Sequence, residues 1–318
     1  MLVKTYGSAL YGVDAITITV EVNVMKGKNY FIVGLPDNAI KESLQRVESG
    51  HKTNNFRMPR IKLLVNLAPA NIRKSGSAFD LLIAIGILAG SGQIINISSL
   101  QHFIIMSELN LDGSILPVKG ALPMAIQARK EKFKGFIVPK SNSGEAAIVN
   151  QLNVYPVSHI REEVDFFDER LLISSVNPDI RLEFLTSRHL FGVDFKDVRG
   201  QQNIKRSLEI AAAGGHNAIL IGPPCSGKTM LTKRLPTILP PLNLQEALET
   251  TKIHSVADKL QPDAMLITHR PFRSPHHTIS DMAMVGGGQL PQPGEISLAH
   301  NGVLVLDELP EFRRLFSK

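Results

Sequence analysis

A glycine-rich pattern of eight residues, GxxxxGK[ST], constrains the second half of this chain more than any other feature. It runs Gly222-Pro-Pro-Cys-Ser-Gly-Lys228-Thr229, after the apolar segment Ala218–Ile221 and before the helical segment Met230–Leu235. In such a strand–loop–helix, the glycines let the backbone curl so that successive N–H groups point at phosphate oxygens. The pattern predicts an α/β domain with a parallel sheet and a phosphate-binding loop.

The loop also predicts a role for each kind of residue in it. Lys228 would supply a cation to the β- and γ-phosphates and Thr229 a hydroxyl to Mg²⁺, while the helix N-terminus adds its dipole. We predict nucleotide contacts from nine consecutive residues: Gly222, Pro223, Pro224, Cys225, Ser226, Gly227, Lys228, Thr229 and Met230.

A second motif completes this predicted site. The apolar run Val303–Leu306 predicts a buried strand that ends in Asp307 and Glu308. Open α/β sheets bind ligands at the carboxyl ends of their strands. Asp307 would hold Mg²⁺ through water, and Glu308 would polarise the attacking water. The two motifs together predict ATP and Mg²⁺ as cofactors, with Lys228 and Glu308 as catalytic residues.

The first half of the chain predicts a compact α+β domain over residues 1–165. Residues 15–24 alternate apolar and polar side chains, which indicates a half-buried strand, and Tyr30–Val33 is its predicted partner. Phe79–Ala89 has the composition of a buried helix. Residues 166–190 lack periodicity and are interpreted as a linker, which leaves residues 191–318 for the phosphate-binding domain.

Composition narrows the class of protein. Aromatic residues make up only 6% and Trp is absent, which argues against an aromatic stacking platform as the main feature. One cysteine excludes an internal disulfide and a cysteine-based zinc module. No apolar run reaches membrane-spanning length and no signal peptide is recognised, so we expect a cytoplasmic protein without membrane contact. Residues 1–165 carry 18 Lys and Arg against 13 Asp and Glu, a net +5 that permits DNA contact.

The motifs of the second half closely resemble those of the magnesium-chelatase-like AAA+ ATPases. Besides the glycine-rich loop, the resemblance is carried by Val193–Gln201, Arg270–His277, Gly286–Gly288, Pro293–His300 and Gly302–Glu308. In the first half it is carried by Arg73–Asp80, Leu111–Pro117 and Phe136–Pro139, which are similar to the domain that this family shares with Lon proteases.

The resemblance implies a ribosomal S5 domain-2-like first domain, an AAA+ core and an ATP-driven motor that forms a hexameric ring. One branch of the family is described as DNA helicases that promote branch migration in natural transformation, so DNA is the implied partner. Another branch drives magnesium insertion into a porphyrin. A chelatase-type motor subunit and a non-catalytic nucleotide-binding fragment therefore stay open as alternatives. The segment Gly286–Gly294 would be a loop facing the ring's pore.

The chain departs from related sequences in two ways that affect its expected activity. Ser77 lies near the nucleophile position of Lon-like proteases, but Lys119 comes three residues too early to activate it, so we expect no protease activity. The family's sensor residues, arginine finger and helical lid would lie beyond Lys318. We therefore expect a chain of this length to bind nucleotide and hydrolyse it poorly. Arg270 and Arg273 would contact DNA or a neighbouring subunit's nucleotide, or serve a solvated or interface role.

Overall fold

The computed structural model describes residues 1–27, 29–59, 62–178, 184, 192–223, 226–260, 265–288 and 291–312. The described residues form two compact units. Unit 1 comprises residues 1–178 with the segment 258–265, and unit 2 comprises the remainder. The domain and linker boundaries at residues 165 and 190 stay predictions.

Unit 1 is built on a mixed sheet of seven strands in the order β3-β4-β2-β1-β5-β8-β9. Four of the six strand pairings are parallel, and only β1–β2 and β2–β4 are antiparallel. A separate hairpin is formed by β6 and β7. The strands are β1 Leu2–Tyr11, β2 Asp14–Met25, β3 Tyr30–Val33, β4 Lys62–Ala68, β5 Phe103–Ile105, β6 Glu108–Leu109, β7 Ile115–Leu116, β8 Gly135–Pro139 and β9 Asn153–Val157.

The alternation of apolar and polar residues in β2 produces one buried face, as predicted. Ile18, Val20 and Val22 are fully buried, because one face of the strand packs on the core. The predicted pairing of β2 with Tyr30–Val33 is wrong: β2 lies between β1 and β4, and β3 pairs in parallel with β4. Strand β1, which the sequence analysis did not predict, occupies the position beside β2 through a tight turn at Gly12.

Six helices of unit 1 lie within the described residues. They are α1 Asn38–Thr53, α2 Asp80–Gly90, α3 Ile97–Leu100, α4 Ala121–Lys130, α5 Ser143–Ala147 and α6 Ile160–Phe167. Every residue of α2 is buried, as predicted for this apolar segment. Its first residue, Asp80, accepts two hydrogen bonds from Arg46, at 2.6 and 3.0 Å. Burial raises the pKa of the Asp80 carboxyl to about 6, although Arg46 acts in the opposite direction.

Lys74 is a fully buried cation in the segment before α2. Its ammonium group donates to the carbonyl oxygens of Gly34 at 3.1 Å, Leu67 at 3.0 Å and Pro69. Burial lowers the pKa of this amine. The side chain therefore joins the carbonyl of Leu67 in β4 to those of Gly34 and Pro69.

We expect Lys74→Met to lower the free energy of unfolding of unit 1 by about 2–4 kcal/mol. The methionine fills a similar volume but leaves buried carbonyls without a donor, at about 1–3 kcal/mol each before relaxation. Urea unfolding followed by far-ultraviolet circular dichroism measures the change. Lys41→Met on the exposed side of α1 is the control and should leave the unfolding midpoint unchanged. Equal midpoints for both variants would contradict a structural role for Lys74.

Unit 2 contains five helices and two small two-stranded sheets within the described residues. The helices are α7 Gln202–Gly214, α8 Lys228–Arg234, α9 Leu244–Val256, α10 Asp281–Val285 and α11 Glu295–Leu298. The sheets pair β10 Phe272–Arg273 with β13 Val303–Leu304 in parallel, and β11 Gly286–Gly287 with β12 Gln292–Pro293 antiparallel. Asn243 and Glu246 form a capping box at the start of α9, in which each side chain accepts a hydrogen bond from the other residue's backbone amide.

The predicted strand Ala218–Ile221 is not formed. Ile219 is 71% and Ile221 90% exposed. An apolar tetrapeptide becomes a strand only where a neighbouring strand pairs with it, and within the described residues β13 pairs with β10 instead. The predicted strand Val303–Leu306 is shorter than expected, since regular pairing ends at Leu304.

None of the described helices is long and apolar enough to cross a membrane.

Candidate nucleotide-binding site

The glycine-rich loop leads directly into α8. Gly227 precedes the helix with φ +83°, a backbone conformation that favours glycine, and Lys228 is the first helical residue. The helix is fixed by Leu231, which is buried in a cluster with Phe195, Val198 and Leu208. This packing anchors the segment that follows the loop and so limits where Lys228 and Thr229 can lie.

Lys228 reaches back over the loop. Its ammonium group donates to the carbonyl oxygens of Gly222 at 2.8 Å and Pro223 at 2.9 Å. The cation therefore lies against the loop backbone, which is where the motif predicts a phosphate contact. Pro224 and Cys225, two other predicted contacts, lie outside the described residues.

Thr229 and Asp307 come together although they are 78 residues apart. The Thr229 hydroxyl donates to the Asp307 carboxylate at 3.1 Å. Asp307 follows three residues after β13, which is held by its parallel pairing with β10. The structure thus brings residues of both predicted motifs into contact.

These two side chains fit a magnesium ion. Mg²⁺ prefers hard oxygen ligands and is commonly held by one or two protein oxygens, with phosphate and water oxygens completing the octahedron. A hydroxyl beside a carboxylate provides that pair here, with Lys228 next to it. No cluster of three or more His, Cys, Asp or Glu residues suited to a metal occurs in the part of the chain that the structure describes.

Glu308 has an unusual backbone and one histidine neighbour. Its φ of +58° and ψ of +46° are left-handed, and its amide donates to the Asp307 carboxylate at 3.1 Å. His277 Nδ1 lies 3.2 Å from Glu308 Oε2, and the His277 ring is 4.1 Å from that of His276. Non-glycine residues in this conformation are often held so by a functional site.

Gln201 and His277 were not among the predicted site residues. The Gln201 side chain donates to the carbonyl oxygen of Ser226 in the loop at 3.0 Å. Gln201 ends one of the segments that carry the family resemblance, which was the available signal, but its contact with the loop depends on how α7 packs.

Arg270 and Arg273 are both tied to residues of unit 2. Arg270 donates to the carbonyl oxygen of Asn301 at 2.7 Å and to that of Pro240 at 2.5 Å. Arg273 forms a two-bonded pair with Glu295, with both distances 2.5 Å, which raises the pKa of the guanidinium. These contacts point to a role that was not among the predicted ones, in which both side chains join segments of unit 2.

Ser77 lies in unit 1. Within the described residues its hydroxyl makes no hydrogen bond to a lysine, and Lys74 is engaged by three carbonyls. The absence of protease activity stays a prediction.

Two family models match the chain. The model described as magnesium chelatase, subunit ChlI, matches residues 194–317, and the model described as subunit ChlI of Mg-chelatase matches residues 20–142. Both halves of the chain therefore point to the same group of proteins. The predicted resemblance to magnesium-chelatase-like proteins is therefore confirmed.

Similar curated proteins narrow this assignment to the ComM/YifB type. The chain is 43% identical to the competence protein ComM of Haemophilus influenzae over 98% of its own length and 61% of that protein. It is 44% identical to the uncharacterized protein YifB of Escherichia coli, over 96% of this chain and 59% of YifB. An uncharacterized protein of Mycobacterium tuberculosis strain H37Rv is 36% identical, over 97% of this chain and 60% of the relative. The chain thus spans about three fifths of the length of these relatives.

Proposed function

We propose that this chain binds ATP with Mg²⁺ at the loop Gly222–Met230 and at Asp307, and that it works as an ATPase acting on DNA. The observation that carries the nucleotide part is the contact between Thr229 and Asp307, with Lys228 beside it on the loop. Three groups from two motifs, each suited to phosphate or magnesium, meet at one place. We also propose that unit 1 has the S5 domain-2-like fold and unit 2 the AAA+ core.

Each residue has a proposed task. Lys228 pairs with the terminal phosphates, and Thr229 and Asp307 hold Mg²⁺, which would neutralise charge on the phosphate oxygens. Glu308 takes the proton of the attacking water, for which its 66% exposed carboxylate is accessible. Gln201 fixes the loop backbone through the carbonyl of Ser226.

We propose that His277 positions Glu308. His277→Ala should lower the rate of ATP hydrolysis about tenfold and leave ATP affinity unchanged, because Glu308 then loses its side-chain partner at 3.2 Å. Phosphate release and nucleotide titration separate the two effects. The control is His300→Ala, whose imidazole lies 3.6 Å from Glu249 at another part of unit 2. A His277→Ala variant with the control's rate would contradict the positioning role.

The DNA part of the proposal rests on two observations. The relative ComM is named a competence protein. Residues 1–165 also carry a net charge of +5. Self-association into a ring, with the Gly286–Gly294 segment facing its pore, is the assembly that we propose for the whole protein; residues 289 and 290 of this segment lie outside the described residues.

Comparing partners tests the proposed function. Phosphate release from ATP and Mg²⁺ is measured with the chain alone, with single- and double-stranded DNA, and with magnesium and protoporphyrin. Turnover by this chain should stay low, as expected above, but we expect DNA to raise it and protoporphyrin to leave it unchanged. Stimulation by protoporphyrin alone would favour a chelatase-type motor, and nucleotide binding without turnover in any mixture would favour a non-catalytic module.

A further inference from the structure

Unit 1 contains a cleft that has no part in the proposed ATPase. It has a cavity volume of about 500 Å³, within the range of small-ligand sites. Three cations and three aromatic side chains line it: Arg129, Lys132, Lys134, Phe103, Phe133 and Tyr155. We call it the basic–aromatic cleft.

The parallel strands of unit 1 bring these residues together. Phe103 and Gly135 are the first residues of β5 and β8, and they are paired in the sheet. Tyr155 lies two residues into β9, the edge strand beside β8. Arg129 lies in the last turn of α4, and Lys132, Phe133 and Lys134 follow that helix. These residues therefore approach the same end of the sheet from the connection between α4 and β8.

Gly135 forms the centre of this arrangement. A Cβ at this position would lie 2.7 Å from Tyr155 Cε2 and 2.8 Å from Phe103 Cε1. The missing side chain therefore lets the two rings meet, with their centroids 5.7 Å apart. Phe103 also packs edge-on against Phe166 and Phe167, at 5.5 and 5.6 Å. The aromatic wall is thus held in place before any ligand binds, which lowers the entropic cost of binding.

The cations are exposed and carry no ion pair within the described residues. Some other basic residues of unit 1 do form ion pairs: Lys4 pairs with Glu21, and Lys52 with Glu48. The carboxylate that lies between them in sequence, Glu131, accepts a hydrogen bond from Gln127 at 2.5 Å. The cleft therefore presents a positive field beside aromatic rings.

We propose that the basic–aromatic cleft binds single-stranded nucleic acid, with its cations on phosphates and a base stacked on its half-buried rings. Proteins that bind single strands without sequence preference combine these two features, since every base has a π-face and every nucleotide a charge. An acidic peptide would satisfy the cations alone and leave the rings unused. The site lies in unit 1 and does not depend on ATP binding in unit 2.

The test uses the 318-residue chain and fluorescently labelled oligo-dT of about 20 nucleotides, followed by anisotropy at several salt concentrations. A cleft variant combines Arg129→Ser, Lys132→Ser and Lys134→Ser. A control variant with the same charge combines Lys26→Ser, Lys41→Ser and Lys140→Ser, all exposed residues that do not line the cleft. Circular dichroism checks that both variants are folded.

We expect the cleft variant to lose affinity for oligo-dT at least about tenfold at low salt. The slope of log affinity against log salt concentration should become shallower by up to about 2, because each phosphate contact of a single strand contributes roughly 0.7 to that slope. The control variant should lose much less. Phe133→Leu, which keeps apolar packing against Tyr6, should weaken oligo-dT about fivefold or more and leave an abasic strand of equal length unaffected.

Three results would overturn the proposal. Equal losses in the cleft and control variants would indicate general electrostatic attraction. Equal affinity for oligo-dT and the abasic strand would show that no base stacks on the rings of the cleft. Tighter binding of polyglutamate than of oligo-dT would assign the cleft to an acidic protein partner.

Discussion

Lys228→Ala is expected to weaken ATP–Mg²⁺ binding by about 2–3 kcal/mol, or roughly 30- to 150-fold. The substitution removes the ammonium group that lies against the loop carbonyls of Gly222 and Pro223, so the terminal phosphate charge is left uncompensated. Titration with a fluorescent ATP analogue measures both affinities. Lys233→Ala, at the exposed end of the same helix, is the matched control.

The control should bind as the wild type does, because Lys233 takes no part in the loop. Equal affinities for wild type and Lys228→Ala would show that the nucleotide, if bound, lies elsewhere. A loss that also appears in Lys233→Ala would indicate a general effect of charge or of helix stability.

Glu308→Gln is expected to lower ATP hydrolysis at least about 100-fold and to leave ATP affinity within about twofold. General-base catalysis contributes roughly 10²–10⁴ in rate, and the amide cannot accept the proton of the attacking water. Phosphate release with the chain in excess over ATP measures the chemical step, and nucleotide titration measures binding. The control is Glu311→Gln, which removes the same negative charge three residues further along the chain and leaves Glu308 in place. It should retain the wild-type rate. Unchanged hydrolysis in Glu308→Gln would assign the base to another residue.

Local patterns predicted much of the fold because they depend on near neighbours in sequence. The buried face of β2 follows from the alternation of its residues, and the buried helix α2 follows from its apolar composition. The missing strand at Ala218–Ile221 shows the limit of such patterns, since strand formation depends on a partner that comes from elsewhere in the chain. The wrong partner for β2 has the same cause: β1 and β4 compete with β3, and only the tertiary fold decides.

The residues of the candidate site likewise fall into those that a local motif predicts and those that only the tertiary fold brings together. The motifs identified Lys228, Thr229 and Asp307, because phosphate and magnesium chemistry demands those residue types at recognisable spacings. His277 and Gln201 have no such local signature, and they reach Glu308 and the loop only through packing. Composition argued against an aromatic platform as the main feature, yet folding gathers Phe103, Phe133 and Tyr155 around one cleft. A low overall content of aromatic residues does not exclude a local cluster.

The most direct test of the central claim is an equilibrium titration of the chain with ATP, in Mg²⁺ and in EDTA, beside the Asp307→Asn variant. The contact between Thr229 and Asp307 predicts saturable binding of one nucleotide per chain that is tighter with Mg²⁺. In Asp307→Asn most of this magnesium dependence should be lost. Absence of saturable binding, or an affinity that neither Mg²⁺ nor the substitution changes, would contradict a nucleotide–magnesium site at these residues.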